Sequence, residues 1–126
     1  MGEGIKSFTD LIVWQESYKL ALLVYRITRC FPREESFGLT SQLRRAVVSI
    51  SSNISEGFGR ETEKDRINFY HVARGSVYEV KSQLLIANGL GYLKEDDFIL
   101  VMDNLVLVNK LLNGLIRKIK QNVYKK

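Results

Sequence analysis

Apolar residues recur at alternating spacings of three and four through four long segments of this chain, a period that fits one face of a helix and no strand. In residues 10–31, Leu11, Trp14, Tyr18, Ala21, Tyr25 and Thr28 form one stripe, and Val13, Leu20, Val24, Ile27 and Phe31 form a second beside it. Residues 39–57 carry Leu43, Val47, Ile50, Ile54 and Gly57 in the same rhythm, and residues 63–88 carry Tyr70, Ala73, Val77, Val80, Leu84 and Ala87. Residues 95–121 present Phe98, Met102, Leu105, Leu112, Ile116 and Ile119 as a stripe.

The punctuation between these segments agrees with helices. Pro32, the only proline, predicts the end of the first, because the residue before a proline is pushed out of the helical region. Gly57 and Gly59 predict a left-handed cap for the second helix. Thr62 reads as the N-cap of the third, with Glu63 and Asp65 in its positive first turn. Asn88-Gly89-Leu90-Gly91 closes that helix. The fourth opens on Glu95, Asp96 and Asp97 and ends on Arg117, Lys118 and Lys120, the order that the helix dipole favours. The connections are short, so successive helices are expected to be antiparallel neighbours in an all-α, up-down-up-down four-helix bundle.

The 126 residues amount to one domain. A chain of this size buries roughly two-thirds of the surface its unfolded form exposes. Cys30 is the only cysteine, so an intramolecular disulfide is excluded, which suits a reducing, cytoplasmic setting. Residues 1–8 carry acid and glycine rather than an apolar core, so no leader peptide is expected. No run of about 18 uncharged apolar residues occurs, and no membrane span is expected.

Charge is uneven along the chain. There are 19 Lys and Arg against 14 Asp and Glu, and five of the 19 lie in residues 117–126, which hold no acid; the remainder balances. Arg117, Lys118, Lys120, Lys125 and Lys126 therefore form a basic C-terminal tail on a neutral body.

Little here points to catalysis. Di-metal sites in helical bundles need inward Glu residues and paired Glu-x-x-His motifs. His71 is the only histidine, and no glutamate stands three positions before it. Without a second histidine, neither Cys30 nor any serine has a base and an orienting group, and Cys30 reads as a small buried hydrophobe. Gly57-x-Gly59 follows a helix rather than a strand, unlike a phosphate loop. Gly75-Ser76 reads as a place where helices approach closely. No cofactor or metal is expected, and no enzyme.

Gln42, Arg45, Ser49, Asn53, Glu56 and Arg60 lie three or four apart, as a polar stripe along the second helix. Two readings stand: a solvated face with local pairs such as Glu56 with Arg60, or a seam between helices or subunits in which Asn53 and Glu56 fix register. On the fourth helix, Val101, Val106, Leu107, Val108, Leu111 and Leu115 widen the apolar surface beyond one stripe. The surplus on the first and fourth helices predicts a subunit interface.

The residues Leu11-x-x-Trp14-Gln15, Tyr25, Phe31-Pro32, Phe37 to Ala46, and Ser49-Ile50-x-x-Asn53-Ile54-x-Glu56-Gly57-x-Gly59-Arg60, with Ala73-x-Gly75-Ser76, occur in order. Together they resemble the bacterial four-helix-bundle family of 23S rRNA intervening-sequence proteins, also labelled S23 ribosomal proteins. The resemblance spans about residues 8–119, with Ser51 standing where the family often has proline. It implies an antiparallel bundle assembled into a ring, typically a pentamer. Some members are encoded within inserts of 23S rRNA genes, and a distant relative, the accessory protein of diversity-generating retroelements, binds nucleic acid and a reverse transcriptase.

The leading expectation is a non-enzymatic homo-oligomer associated with RNA, through the basic tail with Arg44, Arg45, Arg60 and Lys64 as additions. The alternative is a protein–protein adaptor or scaffold ring that binds no nucleic acid.

Overall fold

The computed structural model describes residues 4–124. Helix α1 spans Ile12–Thr28, α2 Leu39–Phe58, α3 Glu63–Gly89 and α4 Glu95–Tyr124, with single 3₁₀ turns at Phe8–Asp10 and Arg33–Glu35. No strand occurs among the described residues. Each helix packs on its neighbours in the chain, α1 closes against α4, and the diagonal pairs stay apart among the described residues. Along α2 and α3, Ser49 meets Ser76 while Gly57 meets Tyr70, so one number rises as the other falls and the two helices run antiparallel. The fold is a four-helix bundle.

The ends follow local chemistry. Thr62 caps α3 by accepting a hydrogen bond from the Asp65 backbone N–H at 3.1 Å. At the far end Gly91 takes φ +81°. Its N–H donates to the Asn88 carbonyl, and the Tyr92 N–H donates to that of Ala87, which is the Schellman arrangement. Helix α1 stops at Thr28 rather than at Phe31. Arg29, Cys30 and Phe31 instead close tight turns onto Arg26, Ile27 and Thr28, ahead of the proline. That turn buries Phe31 against the Tyr92 ring at 5.4 Å and leaves Cys30 exposed, not buried as its residue type alone implied.

The core takes its residues from the periodic stripes. Every expected residue of the α2 and α3 stripes is buried. In α1 the second stripe faces inward, whereas Tyr18 and Tyr25 of the first are exposed. In α4 the buried row is Val101, Leu105, Val108, Leu112 and Ile116; Phe98, Met102 and Ile119 lie at its margin. The 3.6-residue period carries a straight stripe around the helix, and this row is the one that keeps facing the core. By length and composition the stretch Glu95–Val123 could cross a membrane, which a strict count of uncharged residues did not detect. In the bundle it forms one wall of the core.

Two glycines have roles opposite to those expected. Gly57 is not in the left-handed region; it lies buried, and a β-carbon there would sit 2.7 Å from Cε1 of Tyr70 and 3.0 Å from Cβ of Phe69. Gly75, expected at a close approach, has open space within 4 Å of such a carbon. The buried Ser76 beside it makes the contact instead. Replacing the two glycines by alanine is therefore expected to have opposite effects. Gly57→Ala meets a ring that is 2% exposed and cannot yield, and should cost about 1–3 kcal/mol. Gly75→Ala gains helix propensity without a clash, and should stabilise by up to about 1 kcal/mol. Urea unfolding of both variants checks this; equal effects would contradict it.

Candidate functional site

The polar stripe on α2 divides into a seam and two solvated ends. Ser49 Oγ and Ser76 Oγ are 2.8 Å apart across α2 and α3. Asn53 Nδ2 donates to the Ser49 carbonyl at 2.8 Å and to its hydroxyl at 3.0 Å, tying the seam to the turn below. Gln42 and Arg45 are exposed. Glu56 accepts from Arg60 at 3.0 Å, and that guanidinium lies 4.5 Å from the centre of the Phe69 ring. Of the stripe, Ser49 bonds across to α3, whereas Asn53 bonds within α2 and Glu56 pairs with Arg60 at the solvated end.

The expected cations do not form one patch. Arg44 clamps α2 to α1, donating from Nε to Thr28 Oγ1 at 2.8 Å with its guanidinium 4.7 Å from the Tyr25 ring centre. Arg45 stays open to solvent in the same half of the bundle. Arg60 and the exposed Lys64 flank the α2–α3 connection, and Arg117, Lys118 and Lys120 lie on the last turns of α4. With alternating helix directions, these five share one end of the molecule. Lys125 and Lys126 lie outside the described residues.

Of that set, Arg60 lines a separate hollow beside Glu56, while Arg117 and Lys120 enter one concave site. They line a cleft of about 620 Å³ between α3 and α4 with Arg74, Tyr78, Asn113, Ile116 and Gln121. The lining holds three cations and no carboxylate. Arg74 is fixed at two points: one nitrogen donates to Asn113 Oδ1 at 3.1 Å and another bonds His71 Nδ1 at 2.9 Å. A guanidinium has only donors, so His71 Nδ1 must accept, which makes the imidazole neutral with its proton on Nε2. Burial, then the charges of Arg74 and Lys120, holds His71 below its ordinary pKa of 6.5. Among the described residues, no three of His, Cys, Asp and Glu come together as they would around a metal ion.

Sequence reading missed Arg74, Tyr78, Asn113 and Gln121. A signal was there, because Arg74 and Tyr78 are four apart and Asn113, Arg117 and Lys120 are four and three apart, each set on one helical face. The surplus apolar surface is broader than expected. Besides Ile12, Tyr18, Leu22 and Tyr25 on α1 and Ile99, Leu100, Val106 and Leu107 on α4, it includes Val72, Leu85 and Ile86 on α3.

The chain matches the family described as 23S rRNA-intervening sequence protein over residues 9–114. It belongs to that family. Among matching solved structures is the crystal structure of a protein of unknown function from the S23 ribosomal protein family of Bacteroides thetaiotaomicron VPI-5482. It is 22% identical, covers 84% of this chain and 96% of its own length, and superposes with a TM-score of 0.77. That likeness speaks for the fold. No curated protein matches the chain. The family match stops at residue 114, so Arg117, Lys120 and Gln121 of the cleft fall beyond it while Arg74, Tyr78 and Asn113 fall within.

The environment of His71 gives stability a sign on the acid side. The unfolded chain takes up this proton near 6.5, whereas the folded state resists it, so the unfolded state binds more protons as the pH falls. The stabilisation is fully present above that value and is lost as the pH drops through it toward the lower folded pKa. Stability measured by urea unfolding should decline between about pH 7 and 5, where histidine is the ordinary titrating side chain. His71→Gln should flatten that decline, and an unchanged slope in the variant would contradict the environment described.

Proposed function

We propose that this chain is a non-enzymatic, homo-oligomeric protein that associates with RNA, ribosomal RNA being the candidate that the family description offers. The observation that carries the reading is the cleft at one end of the bundle, where Arg74, Arg117 and Lys120 converge with no carboxylate in the lining. Lys118 and Lys64 stand near that end, beside Arg60, which pairs with Glu56, and among Glu61, Glu63 and Asp65 of the α2–α3 connection. Cations so placed bind phosphate by releasing the counterions around the strand. Such binding is independent of base sequence, because phosphate contacts position a strand without reading it. The family description, 23S rRNA-intervening sequence protein, supports the choice of RNA over other polyanions.

Self-association is part of the same reading. Between α1 and α4 an apolar groove lined by Leu22, Leu23, Tyr25 and Leu100 remains open, edged by Lys19, Arg26 and Arg29. We assign this surplus to further copies of the chain, in the ring arrangement that the family resemblance implies, rather than to lipid. Joining copies would set several basic ends side by side and multiply their attraction for one strand. A second reading, a scaffold for a protein partner, draws on the same groove and needs no nucleic acid.

One sedimentation experiment addresses both parts. Fluorescent rRNA fragments are run with the intact chain and with a variant carrying Arg117→Gln, Lys118→Gln and Lys120→Gln, over a range of salt. The intact chain should sediment as an oligomer and carry RNA with steep salt dependence. In the variant, the slope of log affinity against log salt should shrink by about two to three for each copy engaged, close to one per cation removed. Equal affinity and slope would overturn the basic-end reading, and a monomer at micromolar concentration would overturn self-association.

A further inference from the structure

We infer that the cleft between α3 and α4 seats the terminal phosphate monoester of a nucleotide or RNA strand, with the adjoining nucleoside lying against Tyr78. The inference rests on the nucleic-acid reading and narrows it from a diffuse basic end to one binding site.

Charge is the first support. Three cations face a concavity whose lining holds no carboxylate, and a concave basic surface concentrates its field on what enters. A phosphate monoester carries about −1.5 to −2 at neutral pH, a closer match than the single charge of a backbone phosphodiester. Geometry is the second. Arg74 is held at both ends by Asn113 and His71, so its guanidinium is oriented before any ligand arrives and keeps donors to spare. Arg117 folds back along α4, and a β-carbon built at Gly114 would stand 3.8 Å from its Nη2. Lys120 adds a third charge.

Size and lining are the third support. About 620 Å³ falls within the roughly 300–1,000 Å³ usual for small-molecule sites and exceeds what a bare phosphate fills. Tyr78 is 57% exposed and offers a ring face for a base, the contact on which single-strand binding relies. Ile116 supplies an apolar floor, while the Asn113 and Gln121 amides can meet sugar or base edges.

His71 is the reporter, since the chain has no other histidine and its imidazole signal needs no assignment. It sits against Arg74, and an anion on that guanidinium offsets the positive charge that opposes its protonation. The test is a proton–carbon NMR titration of the intact chain with adenosine 5′-monophosphate, adenosine and inorganic phosphate. RNA oligonucleotides bearing a 5′-phosphate or a 5′-hydroxyl follow.

The monophosphate should shift the His71 signal and raise its pKa, adenosine should do neither, and inorganic phosphate should act only at higher concentration. Oligonucleotides should act through the 5′-phosphate form. Arg117→Gln and Lys120→Gln, both outside the core, should each weaken the monophosphate by about tenfold, as loss of one charge-assisted hydrogen bond does. Arg74→Lys should retain the fold and weaken it too. If His71 ignores every phosphate while RNA still binds in sedimentation, the seat is overturned and the RNA reading stands. If the monophosphate moves His71 but RNA fails to bind, the seat stands and the RNA reading falls. Equal binding of phosphate and monophosphate would overturn the nucleoside half of the assignment.

Discussion

The close pairing of α2 with α3 is the constraint on which the rest of this bundle depends. These two helices share the most extensive contact in the molecule, and short residues stand at several points along it. Ala46, Ser49 and Gly57 on α2 face a partner that presents Ala73 and Ser76, so the backbones draw together where longer side chains would hold them apart. The serine pair, with Asn53 behind it, gives the hydroxyls that this approach buries their partners. Gly57 against the Tyr70 ring fixes the lower end of the pairing in the same way. A polar contact inside an apolar seam also favours this register, because sliding one helix by a turn would break the Ser49–Ser76 bond that the buried Ser76 hydroxyl makes.

From that pairing the asymmetry of the molecule follows. Helix α3 is committed to α2 on one side and meets α4 less extensively on the other, and that looser side carries the basic cleft. Helix α4 contributes Val101, Leu105, Val108, Leu112 and Ile116 to the core and has apolar residues left over. Leu100, Val106 and Leu107 remain exposed, as do Leu22 and Tyr25 on neighbouring α1. The tight half of the bundle is α2 with α3, and the half that holds α4 leaves the cleft and the exposed apolar residues.

Much of the fold was legible in the sequence, and the exceptions share a cause. The stripes on α2 and α3 were read correctly because the row followed at three-four spacing is the one the neighbouring helices bury throughout. On α1 and α4 several stripes compete, and only the neighbouring helix decides which turns inward. The same limit explains the exchanged roles of Gly57 and Gly75: a glycine's identity says nothing about which helix lies beside it. It explains the site as well. Arg117 and Lys120 stood out as part of a local cluster, whereas Arg74 joins them from 39 residues before its partner Asn113, across a helix pairing whose register the sequence does not print. Cys30 was misplaced because burial there depends on a tight turn that hides Phe31 instead.

Native-state hydrogen exchange tests most directly whether the α2–α3 seam is the rigid frame. Exchange protection reports local opening free energies residue by residue. If the seam holds the bundle together, the slowest amides lie in the middle of α2 and α3, around Ile50 and Val77, and open only with global unfolding. Amides on the outer turns of α4, around Arg117, should open well below that limit. Slowest exchange in α1 or α4, with α2 and α3 opening earlier, would contradict the seam as the frame of this fold.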